Sequence, residues 1–92
     1  MSNENKSVVL GNEYDQQLRE VLLRVLRSMG ATALDRSIDI AGSQEIEAFN
    51  VMLGQQSLLI EAETYIGLSI SGPADLVDTV ARSTLDRIKS GN

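Results

Sequence analysis

The hydrophobic residues of this chain repeat at two intervals, one typical of helices and one typical of strands. The helical interval predicts a first helix over residues 13–29, with Asn12 as its N-cap and Gly30 just after its end. The predicted apolar stripe of this helix consists of Tyr14, Leu18, Val21, Leu22, Val25, Leu26 and Met29. Leu23 falls outside this stripe, so we expect it at the surface, either alone or as part of a dimer contact.

A second helix is predicted to begin at the sequence SGPAD. Pro73 suits the first position of a helix, and Asp75 suits the positively polarised first turn. The mostly apolar stripe that follows consists of Leu76, Val77, Val80, Ala81, Thr84, Leu85 and Ile88. Lys89 and Gly91 are residue types that favour the end of a helix, so the helix is predicted to finish there.

Between the two helices the apolar interval changes to two, which is typical of strands. This alternation predicts strands over residues 33–40 and 46–53, each followed by turn residues. Residues 57–71, SLLIEAETYIGLSIS, are too many for an ordinary strand. They form either one long bent strand or two strands with a tight turn near residues 63–65. We favour the single bent strand, with a bulge at Gly67, because the usual turn-forming residues are absent from residues 63–65.

Together these elements predict an α+β fold. Consecutive strands joined by short turns favour an antiparallel meander of three to four strands. Two amphipathic helices on one face of that sheet give a two-layer sandwich with the order α-β-β-β-α. The 92 residues suffice for one hydrophobic core, so we expect a single domain over residues 8–92 after a polar, disordered tail over residues 1–7.

Composition narrows the classes of function. The absence of Cys and His excludes disulfides, thiolate zinc sites and the commonest general acid and base. A net charge of −5 and a pI near 4.5 argue against a nucleic-acid partner, because affinity for phosphate depends on Lys and Arg. No apolar run reaches the length of a signal-peptide core or a membrane span. We therefore expect a cytoplasmic protein of bacterial origin that does not bind membranes.

The charges are distributed unevenly, since no Lys or Arg occurs between Arg36 and Arg82. The alternation assigns to the helix-facing side of the sheet the residues Ile38, Ile40, Ile46, Ala48, Leu58, Ile60 and Ala62. On the opposite side it predicts a partner-binding face that includes Asp39, Glu47, Phe49, Glu61, Glu63 and Tyr65. In this hypothesis the carboxylates attract a basic surface of another protein, and the two aromatic rings add apolar contact.

Three alternatives remain open for this acidic face. It could be a solvated surface that only discourages stacking of sheets, or, with its apolar members or the Leu23 side of the first helix, a homodimer contact. It could also be a weak site for Ca²⁺ or Mg²⁺ built from Asp39, Glu47, Glu61 and Glu63, although no calcium-binding loop is present.

Enzymatic function is the least expected class. There is no Ser-His pair and no glycine-rich phosphate loop, and no motif indicates a cofactor. The sequence thus favours a small non-enzymatic interaction module that binds a basic protein, such as an inhibitor, an immunity protein or a chaperone.

Overall fold

The structure is a computed structural model that describes residues 4–41 and 44–90, with only the backbone described for residues 33–41. The described chain contains, in order, β1 (Asn5–Gly11), α1 (Gln16–Ser28), β2 (Thr32–Ala41), β3 (Gln44–Leu53), β4 (Gln56–Glu63), β5 (Gly67–Pro73) and α2 (Ala74–Lys89). Neither helix in this part of the chain combines the length and the apolar character needed to cross a membrane.

The predicted α+β two-layer architecture is confirmed, with a larger sheet than expected. The strands form one antiparallel sheet in the order β1-β5-β4-β3-β2. Four of them, β2 to β5, are the predicted meander. The fifth, β1, lies beside β5, so the element order begins with a strand rather than with a helix. Its apolar run of Val8 to Leu10 is too short to predict a strand by itself.

The first strand also shortens the predicted tail. Residues 5–7 belong to β1 and pair with Ser71 to Pro73 of β5. Two further contacts hold this strand: the Lys6 Nζ atom lies 2.6 Å from the Asp78 Oδ1 atom of α2, and the Ala74 amide donates to the Glu4 carbonyl oxygen across 3.0 Å. The rest of the predicted tail, residues 1–3, lies outside the described residues.

Residues 57–71 form two strands, so the favoured single bent strand is wrong and the two-strand alternative is correct. The Ile66 amide donates to the Glu63 carbonyl oxygen across 3.1 Å and closes a four-residue turn. Tyr65 occupies the third position of this turn with a φ of 72°. The turn has no glycine at that position, which is why its sequence does not predict it.

Helix α1 begins later than predicted. Its N-cap is Asp15, whose Oδ1 atom accepts a hydrogen bond from the Leu18 amide across 3.1 Å. Asn12 instead accepts from the Tyr14 amide across 2.7 Å, and Tyr14 precedes the helix. At the other end the amides of Gly30 and Ala31 donate to the Arg27 and Leu26 carbonyl oxygens, which confirms the predicted stop at Gly30.

Both helices pack on the same side of the sheet, which we call the inner face. Their apolar stripes join the inward residues of β3, β4 and β5 in one hydrophobic cluster. The most deeply buried side chains in this cluster are Leu22, Val25, Leu58, Ile70, Val77 and Val80. Met29 and Leu85, which were predicted for the stripes, are exposed at the margins of the helix layer, and Leu23 is exposed as predicted.

The facing of β3 differs from the prediction. Val51 is paired with Leu58, so Val51 and Leu53 point inward and are buried. Ile46 and Ala48, which were predicted to face the helices, point to the opposite side. The tight loop at residues 54–55 sets this register, because it places Leu53 directly opposite Gln56.

Candidate functional site

The side of the sheet away from the helices, which we call the outer face, carries apolar and acidic residues together. On this face Glu61 lies between Ala48 of β3 and Ser69 of β5, and Glu63 lies opposite Ile46. Its half-buried members on β3 and β4 are Ile46, Ala48, Met52, Leu59, Glu61 and Glu63. Neither helix covers this face, and the part of it that the structure describes contains no Lys or Arg.

The predicted partner-binding residues do not all share this face. Glu61 and Glu63 lie on it as expected. Glu47 and Phe49 lie on the inner face, because they pair with Ala62 and Ile60 of the core. For Asp39 the structure describes the backbone, which pairs with Ile46, and its side chain lies outside the description.

Glu47 has a structural contact on the inner face. Its Oε1 atom lies 3.3 Å from the Nη2 atom of Arg19, and both side chains are largely buried. This ion pair joins β3 to α1 at the margin of the helix layer. Glu47 is therefore part of the sheet-helix interface and does not contribute to the outer face.

The described acidic side chains of the predicted cation site lie on two different faces of the sheet. Glu47 lies on the face opposite Glu61 and Glu63, so these three carboxylates do not converge on one point. Among the described residues, no group of three or more Asp or Glu side chains is arranged to hold a metal ion.

Tyr65 lies at one end of the sheet, in a cluster of exposed hydrophobic side chains that we call the tyrosine groove. Seven large hydrophobic side chains are exposed in the described chain, and four of them meet at this end. These four are Val9, Tyr14, Tyr65 and Ile66. They line a shallow groove of about 660 Å³ between the β1-α1 loop and the β4-β5 turn.

A buried carboxylate fixes the two sides of this groove to each other. Glu13 is 8% exposed, and its Oε2 atom accepts a hydrogen bond from the Tyr65 amide across 3.1 Å. The Glu13 carbonyl oxygen accepts from the Nε atom of Arg19 across 3.0 Å. These bonds connect the β1-α1 loop, the β4-β5 turn and helix α1.

The turn is also attached to β3. The Thr64 amide donates to the Glu45 carbonyl oxygen, and the Glu45 amide donates to the Thr64 hydroxyl, each across 3.0 Å. The turn is thus held on two sides, and the Tyr65 side chain extends from it with 82% of its surface exposed.

Sequence reasoning identified only Tyr65 among the groove residues. The helical interval, with Asn12 as N-cap, predicts Tyr14 in the buried stripe of the first helix. Asp15 is an equally good N-cap residue, and a helix capped by it leaves Tyr14 outside. No local sequence pattern places Val9 and Ile66 in the groove, because these two residues come together only through the pairing of β1 with β5.

A second concave surface lies on the inner face, between α1 and the sheet. It has a volume of about 280 Å³ and an almost entirely apolar lining. The lining residues are Arg19, Leu22, Leu23, Phe49, Val51, Ile60 and Leu68. Leu23, which is 47% exposed, stands at its edge.

No protein-family model, curated protein or solved structure matches this chain. The outer face, the tyrosine groove and the concave surface beside α1 are therefore interpreted from their own geometry and charge.

Proposed function

We propose that this protein is a non-enzymatic interaction module that binds a basic surface of a partner protein on the outer face of its sheet. The observation that carries the proposal is the pair Glu61 and Glu63, which stands on an uncovered, partly apolar sheet face without a described cation. An inhibitor, an immunity protein or a chaperone for a basic protein would act through such a contact.

The two carboxylates favour a cationic partner over water. Residues two apart on one strand point to the same side, with Cα atoms roughly 7 Å apart, so their charges repel each other. A Lys or Arg of a partner placed between them relieves this repulsion and accelerates the encounter. Because salt screens such attraction, the association should weaken as ionic strength rises.

Affinity then depends on the apolar residues around the carboxylates. Ile46 and Leu59 flank the acidic pair, and Met52 extends the apolar area along β3. Burying such side chains contributes roughly 25 cal/mol per Å² of apolar surface, partly offset by the entropy of association. We therefore expect the bound segment to combine basic with aliphatic residues.

Self-association through the same face is disfavoured by its charge. A second copy would bring its own Glu61 and Glu63 against the first pair, and the described part of the face offers no cation to compensate. Like charges in an interface oppose association, so this arrangement selects for a different partner.

The test is a charge reversal with a matched control. The variant Glu61→Lys/Glu63→Lys and the control Glu20→Lys/Asp86→Lys change the net charge equally, but the control residues are exposed on the helices. Binding of a labelled peptide of alternating Lys and Leu is followed by fluorescence anisotropy, with the fold checked by circular dichroism. We expect the outer-face variant to lose binding and the control to retain most of it. Equal binding by the two variants would overturn the proposal.

The concave surface between α1 and the sheet favours a second candidate, a homodimer formed on the Leu23 side of α1. An exposed leucine beside an apolar cleft is a feature of such contacts. Sedimentation velocity over a range of protein concentrations tests it: association that Leu23→Ser abolishes supports a dimer, and a monomer at every concentration contradicts it.

A further inference from the structure

The tyrosine groove combines exposed aromatic rings with an acidic surrounding. Tyr14 and Tyr65 are 70% and 82% exposed, so most of each ring is available to a ligand. Together with Val9 and Ile66 they form a cluster of exposed apolar and aromatic side chains, and such clusters mark binding sites. The groove therefore requires an explanation beyond the packing of the domain.

The backbone at Tyr65 gives an independent reason to expect function. Its φ of 72° lies in the left-handed region, where glycine or asparagine is favoured and a bulky residue is strained. Strain of this kind persists at binding sites, where the side chain has a role that outweighs the cost. The buried Glu13 carboxylate, bonded to the Tyr65 amide, holds the turn in this conformation.

The charges around the groove are acidic. Glu13 lines it, and Asp15 follows Tyr14 directly. Glu63 begins the turn, and Glu45 is bonded to Thr64 within it. No described residue that lines the groove is a Lys or Arg. Arg19, which contacts the Glu13 carbonyl oxygen, is also engaged by the Glu47 carboxylate.

Aromatic rings surrounded by carboxylates fit a cationic side chain. The negative face of an aromatic ring attracts a guanidinium or ammonium group, and nearby carboxylates add to that attraction. Arginine fits better than lysine, because its planar guanidinium group stacks on aromatic rings. A neutral apolar side chain would gain nothing from the acidic surrounding.

The groove is continuous with the outer face. Glu63 and Gly67 are paired at the base of the turn, and Val9 lies beside Ser69, which is itself paired with Glu61. A bound segment that places basic residues at Glu61 and Glu63 can therefore reach Tyr65 without leaving the surface.

We infer that the tyrosine groove binds an arginine side chain of the basic partner, with its guanidinium group against the rings of Tyr14 and Tyr65. This inference rests on the proposed function, because it assigns a particular side chain of the same partner to the end of the same surface. The occupant is a protein segment that carries Arg, and we expect Lys at this position to bind more weakly.

The first measurement uses the tyrosines themselves. Tyr14 and Tyr65 are the only tyrosines of the chain, and there is no Trp, so tyrosine emission reports on the groove alone. Titration with a hexa-arginine peptide should change this emission to saturation, and a hexa-glutamine peptide should not change it. Saturable binding of hexa-arginine without a change in emission would contradict the inference.

The second measurement compares aromatic with aliphatic side chains at the two tyrosine positions. Tyr14→Phe/Tyr65→Phe keeps both rings, whereas Tyr14→Leu/Tyr65→Leu keeps apolar side chains without a ring face. Affinity for fluorescein-labelled hexa-arginine should be nearly unchanged in the Phe variant and fall in the Leu variant by a factor between about 2 and 30. Equal affinities of the two variants, whether high or low, would overturn the inference. Circular dichroism confirms that both are folded.

Charge reversal separates this inference from the proposed function. The Glu61→Lys/Glu63→Lys variant is measured with the same peptide. If reversal weakens binding while the Phe and Leu variants remain equal, the groove assignment fails and the outer-face proposal stands. If the unmodified protein binds neither hexa-arginine nor the Lys-Leu peptide, both fail.

Discussion

The carboxylate of Glu13 and the backbone amide of Tyr65 lie 52 positions apart in sequence and are joined by a 3.1 Å hydrogen bond. The acceptor is buried, and the donor belongs to a turn in which Tyr65 and Ile66 are exposed. Together with the bonds between Thr64 and Glu45, this bond holds the turn that presents the Tyr65 ring.

Removing the carboxylate should loosen the turn. Glu13→Ala leaves the Tyr65 amide without its acceptor and is expected to lower the free energy of unfolding by about 1–3 kcal/mol. Glu13→Gln retains an acceptor oxygen and should lose less. Urea denaturation measures both, with Glu20→Ala on the exposed side of α1 as the control. Equal losses for the Ala and Gln variants would show that the bond does not support the turn.

Tyr65 is expected to destabilise the fold, because its backbone holds a left-handed conformation that is unfavourable for a bulky residue. Tyr65→Asn places a residue that tolerates positive φ in the turn and should raise the free energy of unfolding by about 0.5–1 kcal/mol. For a domain of this size that is a rise of roughly 2–8 °C in the thermal midpoint. Tyr14→Asn, outside the turn, should give no such rise. A lower midpoint for Tyr65→Asn would mean that the ring stabilises the fold.

Gly67 permits β1 and β5 to approach each other at the end of the sheet. A Cβ atom at this position would lie 2.5 Å from the Gly11 carbonyl oxygen, and its φ of 124° is unfavourable for other residues. Gly67→Ala should therefore destabilise the fold by about 2 kcal/mol or more. Gly54→Ala is the control, because it also has positive φ but open space around it, and it should lose less. Similar thermal midpoints for the two variants would contradict the contact with Gly11.

Thr84 is fully buried on α2, and its hydroxyl has no hydrogen-bond partner among the described residues. Thr84→Val keeps the shape of the side chain and removes the unsatisfied group. We expect the free energy of unfolding to rise by about 1 kcal/mol. Thr84→Ser keeps the hydroxyl and removes the methyl group, so it should be less stable than the natural protein. A loss of stability in the valine variant would indicate a bonding partner for the hydroxyl.

The sequence predicts the helix layer and the meander because their signals are local. The stripes of α1 and α2 repeat at the helical interval, and turn-forming residues separate the predicted strands. The α+β two-layer fold depends on these features alone, which is why it could be predicted.

The facing of β3 could not be predicted from alternation. Its two sides are both largely apolar, with Ile46 and Met52 on one and Val51 and Leu53 on the other. The length of the Gly54-Gln55 loop is the signal that decides the register, since a two-residue loop places Val51 opposite the buried Leu58. In this register Glu47 and Phe49 lie on the inner face and not on the predicted partner-binding face.

The tyrosine groove could not be predicted because its parts are distant in sequence. Its two tyrosines come together only when β1 lies beside β5 and Glu13 reaches the turn. No interval of hydrophobic residues encodes such a neighbourhood, so sequence patterns identify Tyr65 as an exposed ring without identifying its surroundings.

The position of β1 also determines the order in which the sheet can be completed. Strands β2 to β5 each pair with a neighbour along the chain, whereas Ser7 of β1 bonds to Ser71 across 64 residues. Closing so long a loop is slow and entropically unfavourable, so we expect β1 to join the sheet last. Until it does, β5 has an open edge and the groove has only one wall. A ligand that requires both walls would therefore recognise only chains that have finished folding.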